Sequence, residues 1–195
     1  LDNKLTYKNW RSSFRTVNSI QKPWFLKAEW LFHSATIILE KAIEARNYIG
    51  KGNSPKGTIK KGEPYYETIL DYSSMQQALL LIGFSIENLL KGLWIKKHNP
   101  DDKIINNDKI NSKIITHKLS ELANEIGIEF SQEEINTLNV FRELIEWKGR
   151  YPIPLNVTDY VNSNHEGYSK LLSGFTKTEM PKELNSILEK ISNHK

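Results

Sequence analysis

The chain contains no cysteine and only two methionines in 195 residues. The missing thiols exclude a disulfide framework, a cysteine nucleophile and a thiolate-held metal. Long apolar runs are missing too. The longest, Ala78 to Phe84 counting Gly83, is too short to span a bilayer. Nothing resembles a signal peptide, so a cytoplasmic protein without a membrane partner is expected. The catalytic signatures HExxH, the nucleophile elbow and the zinc deaminase motif are absent, as are the E-x-x-H elements of four-helix di-metal sites. No cofactor and no metal are therefore implied. No strand-like alternation or internal repeat is present.

Charge of one sign does not dominate. The 27 basic and 23 acidic side chains leave a net +4, compatible with nucleic-acid contact without demanding it. The stretch Gly50 to Gly62 carries four lysines and no acid within its glycines until the chain moves on to Glu63. Gly52 and Gly57 have P-loop separation, but Thr58 stands where the lysine belongs and no strand precedes them. A basic loop joining two antiparallel helices is the better reading.

What is there is helical periodicity. Tyr65 to His98 places Met75, Leu79, Ile82, Ile86, Leu89 and Leu93 on one face, widened by Leu80, Leu81, Leu90 and Trp94. A face that broad needs helices around it, and Gly83 and Gly92 allow one to come close. Pro23 fits the first turn of an earlier long helix, Trp24 to Tyr48, with its stripe at Leu31, Ala35, Ile38, Ala42 and Ala45. His33 is expected to be a core or half-buried structural histidine there. Before it, Trp10, Phe14 and Val17 suggest a short amphipathic helix docking its aromatics, with Arg11 and Arg15 facing water.

Pro100 stops the central helix. An irregular asparagine-rich crossover follows, then a helix capped by Thr116 and ended by Gly127. Ser131 and Glu134 form a capping box ahead of a helix from Gln132 to Trp147. His165 to Phe175 and Pro181 to Ile191 read as short terminal helices. The expected fold is all-α: one domain over 1–195, an antiparallel up-and-down four-helix bundle with its core at about 24–154, and a helical extension over 156–195.

Several polar residues border the apolar faces. Glu87, inside the most hydrophobic helix, must reach water or be paired. A Glu87–Arg142 bridge orienting two helices is the structural reading of both, and Lys91 offers Glu87 a local partner one turn on. His117 opens the third helix and has the chemistry for acid–base work. Arg150 and Tyr151 close the cluster EWKGRYPIP, in which Trp147 can stack a base or simply pack.

The combination SIENLLKGLWI, HKLSELANEIGI and FRELIEWKGRYPIP resembles the HEPN superfamily of nucleotide-binding helical bundles over Ile69 to Pro154. That resemblance implies a four-helix core, frequent homodimers, and RNA-linked defence or toxin–antitoxin roles. Ribonuclease branches of the family use an arginine and a histidine separated by four to six residues. Arg142 matches the arginine, but Trp147, Lys148 and Gly149 stand where the histidine would fall. The resemblance thus implies a member without the usual ribonuclease motif. Its ligand-binding positions would be Glu87, His117, Arg142, Arg150 and Tyr151. Three functions follow: a non-catalytic protein binding nucleotide, RNA or a protein partner; a metal-independent endoribonuclease using His117 with Arg142 or Arg150; and a structural or assembly protein.

Overall fold

The computed structural model describes residues 3–52, 61–105, 108–148, 165–176 and 179–195. All regular structure in them is helical: α1 (Asn3–Ser19), α2 (Lys22–Gly50), α3 (Pro64–Ser73), α4 (Met75–His98), α5 (Leu119–Ile126), α6 (Gln132–Glu143), α7 (His165–Gly174) and α8 (Lys182–Ser192). A 3₁₀ turn, Ser112–Ile114, precedes α5, and a π turn, Leu144–Lys148, continues α6.

The most apolar segment becomes the centre. α4 packs against α2, α5, α6, the π turn and α8. Its Leu79, Ile82, Ile86 and Leu90 are fully buried, as are Leu138, Phe141 and Leu144 of the α6 segment and Phe175 after α7. Each such side chain contributes about 1.5–3 kcal/mol by leaving water. The two mid-helix glycines have specific neighbours. A Cβ on Gly83 would sit 3.3 Å from Phe141 and Ile145, and one on Gly92 would sit 2.5 Å from the Phe25 ring. Both glycines therefore admit a side chain of the facing helix, which offsets their cost in helix propensity.

The run Pro64–His98 is long and apolar enough to cross a membrane, yet 72% of its most apolar window is buried inside the protein. It is divided at Ser74 into α3 and α4. Ser73 and Ser74 turn their hydroxyls back onto Leu70 O and Asp71 O, competing with the backbone ladder. Ser74 keeps helical dihedrals while α3 ends and α4 begins, and α3 lies along α2.

Local signals set most boundaries. Pro23 lies in the first turn of α2. Lys96, Lys97 and His98 occupy the last turn of α4, where cations complement the helix dipole. Gly127 takes φ 90° and the Ile128 N–H reaches Ala123 O, closing α5. The capping box forms: Ser131 Oγ accepts the Glu134 N–H, and Glu134 Oε2 accepts the Ser131 N–H at 2.6 Å.

Three expectations are corrected. Trp10, Phe14 and Val17 are exposed at 71%, 38% and 46%. Instead α1 is held by its polar side: Arg11 and Arg15 clasp the Asp108 carboxylate, Asn18 donates to Lys109 O, and Ser19 Oγ accepts the Ile105 N–H. The two guanidiniums hold Asp108 well below the usual carboxylate range. His33 is exposed, because Ala28, Ala35, Leu39 and Ala42 set the buried face of α2 and leave Trp30, His33 and Ile37 outside. Finally, α5 begins at Leu119 and Thr116 is not its N-cap. The Thr116 hydroxyl accepts the Lys118 N–H two residues on, a local turn that keeps His117 in the approach to the helix. The middle of the basic loop, 53–60, and the segment 149–164 lie outside the described residues.

Candidate functional site

Glu87 lies one turn beyond Gly83 on α4 and is only 6% exposed. A carboxylate there must be compensated, and it is compensated twice. Its Oε1 accepts from Lys91 Nζ at 2.5 Å, and its Oε2 accepts from His117 Nδ1 at 2.8 Å. Lys91, at the i+4 position on the same helix, is itself buried. In this low-polarity setting the pair is tightly held, unlike an exposed helical pair worth a few tenths of a kcal/mol.

His117 reaches Glu87 from the segment ahead of α5. Ile114 and Leu119, buried on either side of it, fix that segment against the core. A second polar group reinforces the docking of α5 on α4. Glu125 accepts from Trp94 Nε1 and from Lys113 Nζ, both at 2.9 Å, and its backbone carbonyl accepts from Lys97 Nζ at 2.8 Å. The Lys113 bond, with the indole N–H next, pulls the Glu125 carboxyl below its ordinary value. His117 therefore sits between two anchored hydrophobic contacts on a well-braced element.

The orientation of the ring follows from the donor inventory. An ionised carboxylate only accepts, so Nδ1 of His117 carries the hydrogen in this bond. The opposite nitrogen, Nε2, has no hydrogen bond among the described residues. The His117 side chain is 44% exposed against 8% for that of Glu87. A sealed carboxylate thus steers a solvent-reached imidazole, an arrangement used to fix tautomer and orientation in acid–base and nucleophilic sites.

The structure joins two of the five proposed ligand residues, Glu87 and His117. The Glu87–Arg142 bridge does not form. Arg142 Nε bonds Glu146 Oε1 at 2.8 Å on its own helical segment, with both side chains partly exposed. A carboxylate one turn away is the nearer acceptor for a guanidinium, whereas Glu87 is already occupied by Lys91 and His117. No arginine bonds His117 among the described residues. Arg150 and Tyr151 lie outside the described residues, as does the side chain of Trp147.

Lys91 is the member that sequence reasoning undervalued. Its signal was present, since an acid and a lysine at i,i+4 face each other on any helix, but burial decides the strength of the pair. Among the described residues no three histidine, aspartate or glutamate side chains are grouped to hold a metal. A separate apolar groove of about 460 Å³, walled by Phe32, Leu89, Leu188 and Ile191, lies between α2, α4 and α8 and does not include this trio. Compared with known families, curated proteins and solved structures, the chain matches none.

Proposed function

We propose that this protein is a non-catalytic, HEPN-like helical bundle, with α2, α4, α5 and α6 as its four core helices, that binds a nucleotide or RNA through a phosphate group received at His117. The observation that carries this reading is the 2.8 Å bond from His117 Nδ1 to the buried Glu87 carboxylate, which leaves Nε2 unbonded among the described residues on a side chain 44% exposed. An imidazole held in one orientation has already lost the freedom that a binding event would otherwise have to remove. The half-exposed Arg142 is a guanidinium able to take phosphate in exchange for Glu146. Ribonuclease chemistry has no support from Arg142, which among the described residues bonds Glu146 and not His117, where charge developing on phosphorus would need stabilising.

Nuclear magnetic resonance titration with nucleoside monophosphates, nucleoside triphosphates and short single-stranded RNA tests the reading. Saturable shifts centred on His117, weakened about tenfold or more in His117→Ala, are expected, one tenfold step corresponding to about 1.4 kcal/mol. Shifts scattered over the lysine-rich surface and unchanged in the variant would defeat it.

A second reading, association into a homodimer or with a protein partner, has its own support. Trp10, Phe14 and Val17 of α1, and Leu26, Trp30 and Ile37 of α2, form exposed apolar stripes, a feature of interaction surfaces when contiguous. Light scattering of the wild type and of Trp10→Asp/Trp30→Asp checks it. A dimer converted to monomer is expected; a wild type monomeric at high concentration removes the homodimer.

A further inference from the structure

We infer that His117 Nε2 is a phosphoryl acceptor: the residue is a site of reversible phosphorylation by a donor that carries a phosphorus–nitrogen bond. The inference rests on the reading that phosphate groups are received at this edge, and adds a covalent step to it.

Three observations point the same way. The Glu87 bond places the hydrogen on Nδ1, so in the neutral ring the lone pair that can attack phosphorus is on Nε2. Nε2 has no internal hydrogen-bond partner among the described residues, and its ring is reached by solvent. The third is the counter-charge. When Nε2 bonds phosphorus, positive charge develops on the ring, and the carboxylate 2.8 Å from Nδ1 is already in place to stabilise it. Because that carboxylate is buried and held on its other oxygen by Lys91, it does not need to reorganise as the charge appears.

The step balances without an external acid or base. With phosphoramidate in its zwitterionic form, whose nitrogen already carries three hydrogens, the Nε2 lone pair forms the new N–P bond while the donor's P–N bond breaks. Neutral ammonia leaves with the electron pair of that bond, and the positive charge passes from the donor nitrogen to the ring. The Nδ1 hydrogen stays between the ring and Glu87, and nothing is oxidised or reduced.

The other histidines with described side chains lack this arrangement and serve as internal controls. His98 and His194 also tie Nδ1, but to the neutral carbonyls of Trp94 and Lys190. His98 is in addition stacked on the Trp94 ring at 3.9 Å. His33 is exposed, and no carboxylate bond orients it. His117 is the least exposed of the four. Solvent access alone therefore ranks it last for modification, whereas a carboxylate-steered nucleophile ranks it first.

Treating the folded wild-type chain with potassium phosphoramidate, then mapping the acid-labile adducts by mass spectrometry at neutral pH, separates the two rankings. His117 is expected to be labelled about tenfold faster than His33, His98 or His194. Glu87→Gln, which keeps the side-chain size but not the charge, is expected to bring His117 down to their level while leaving theirs unchanged. Labelling in order of exposure, no label on His117, or an undiminished rate in a folded Glu87→Gln overturns the inference. The wild-type competition stands alone if that variant does not fold. Nucleotide binding without preferential labelling sinks this inference only, and preferential labelling without nucleotide binding sinks the functional reading only.

Discussion

Replacing Glu87 by alanine is expected to lower the stability of the fold by about 3–5 kcal/mol, the range for removing one member of a buried ion pair. The reason lies less in the lost contact than in what stays behind. Lys91 is 8% exposed, and without Glu87 its largely buried ammonium keeps no carboxylate partner among the described residues. Because the damage comes from an orphaned charge, it is reversible by removing the orphan. Glu87→Leu combined with Lys91→Leu is expected to recover most of the loss, since apolar replacements of buried ion pairs are commonly neutral or stabilising. Urea denaturation of the wild type, both single variants and the double variant forms a closed cycle. Additive losses would mean that the two side chains do not compensate one another. The recovered double variant also separates stability from function, because its His117 ring has lost its guide while the helices remain packed.

A second large effect is expected at the junction of α6 and α8. Glu134 closes the capping box, accepts from Ser186 Oγ at 2.6 Å and binds Lys190 Nζ at 2.7 Å. Burial pushes its carboxyl upward, but Lys190, Ser186 and the Ser131 N–H outweigh burial and bring it below the ordinary value. The sign for stability follows directly. A carboxyl whose folded value is depressed contributes most above its unfolded value of 4.5 and loses that contribution as pH falls through the folded value. Glu134→Ala should cost about 3 kcal/mol at neutral pH, combining roughly 1 kcal/mol for the cap with about 1.5–3 kcal/mol for charge-assisted bonds. Glu134→Gln keeps the shape of the cap and loses only the charge. Its deficit relative to wild type is expected to be present at pH 7 and to close as the solution is acidified below about pH 4, as read from thermal unfolding across pH. A deficit that stays constant from pH 7 to pH 3 would assign Glu134 no electrostatic role.

Periodicity and punctuation made much of this architecture legible. The α4 face from Met75 to Leu93, the Ser131–Glu134 box and the Gly127 stop are written in adjacent residues, and each forms as local rules require. The apolar side of α1 was equally visible as a pattern, but its fate was not. Whether Trp10 and Phe14 dock depends on Asp108, roughly a hundred residues away, capturing Arg11 and Arg15 on a different side of the helix. Glu87 teaches the same lesson. A charge in an apolar stripe announces that it needs a partner without saying which, and Arg142 was as eligible by type as His117. The choice was made by the short turn at Thr116 and the burial of Ile114 and Leu119, which bring His117 within reach across thirty residues.

The C-terminal helices have a consequence for how the chain matures. Phe175, Leu184, Ile187 and Ile191 belong to the same hydrophobic cluster as the centre of α4, and Arg46 of α2 donates to the carbonyls of Leu172 and Phe175. These groups leave the ribosome after every helix they cover. A nascent chain stalled before residue 165 would display an oily flank of α4 and α6 with nothing yet synthesised to close it. Chaperone engagement during translation should accordingly persist until this last segment emerges.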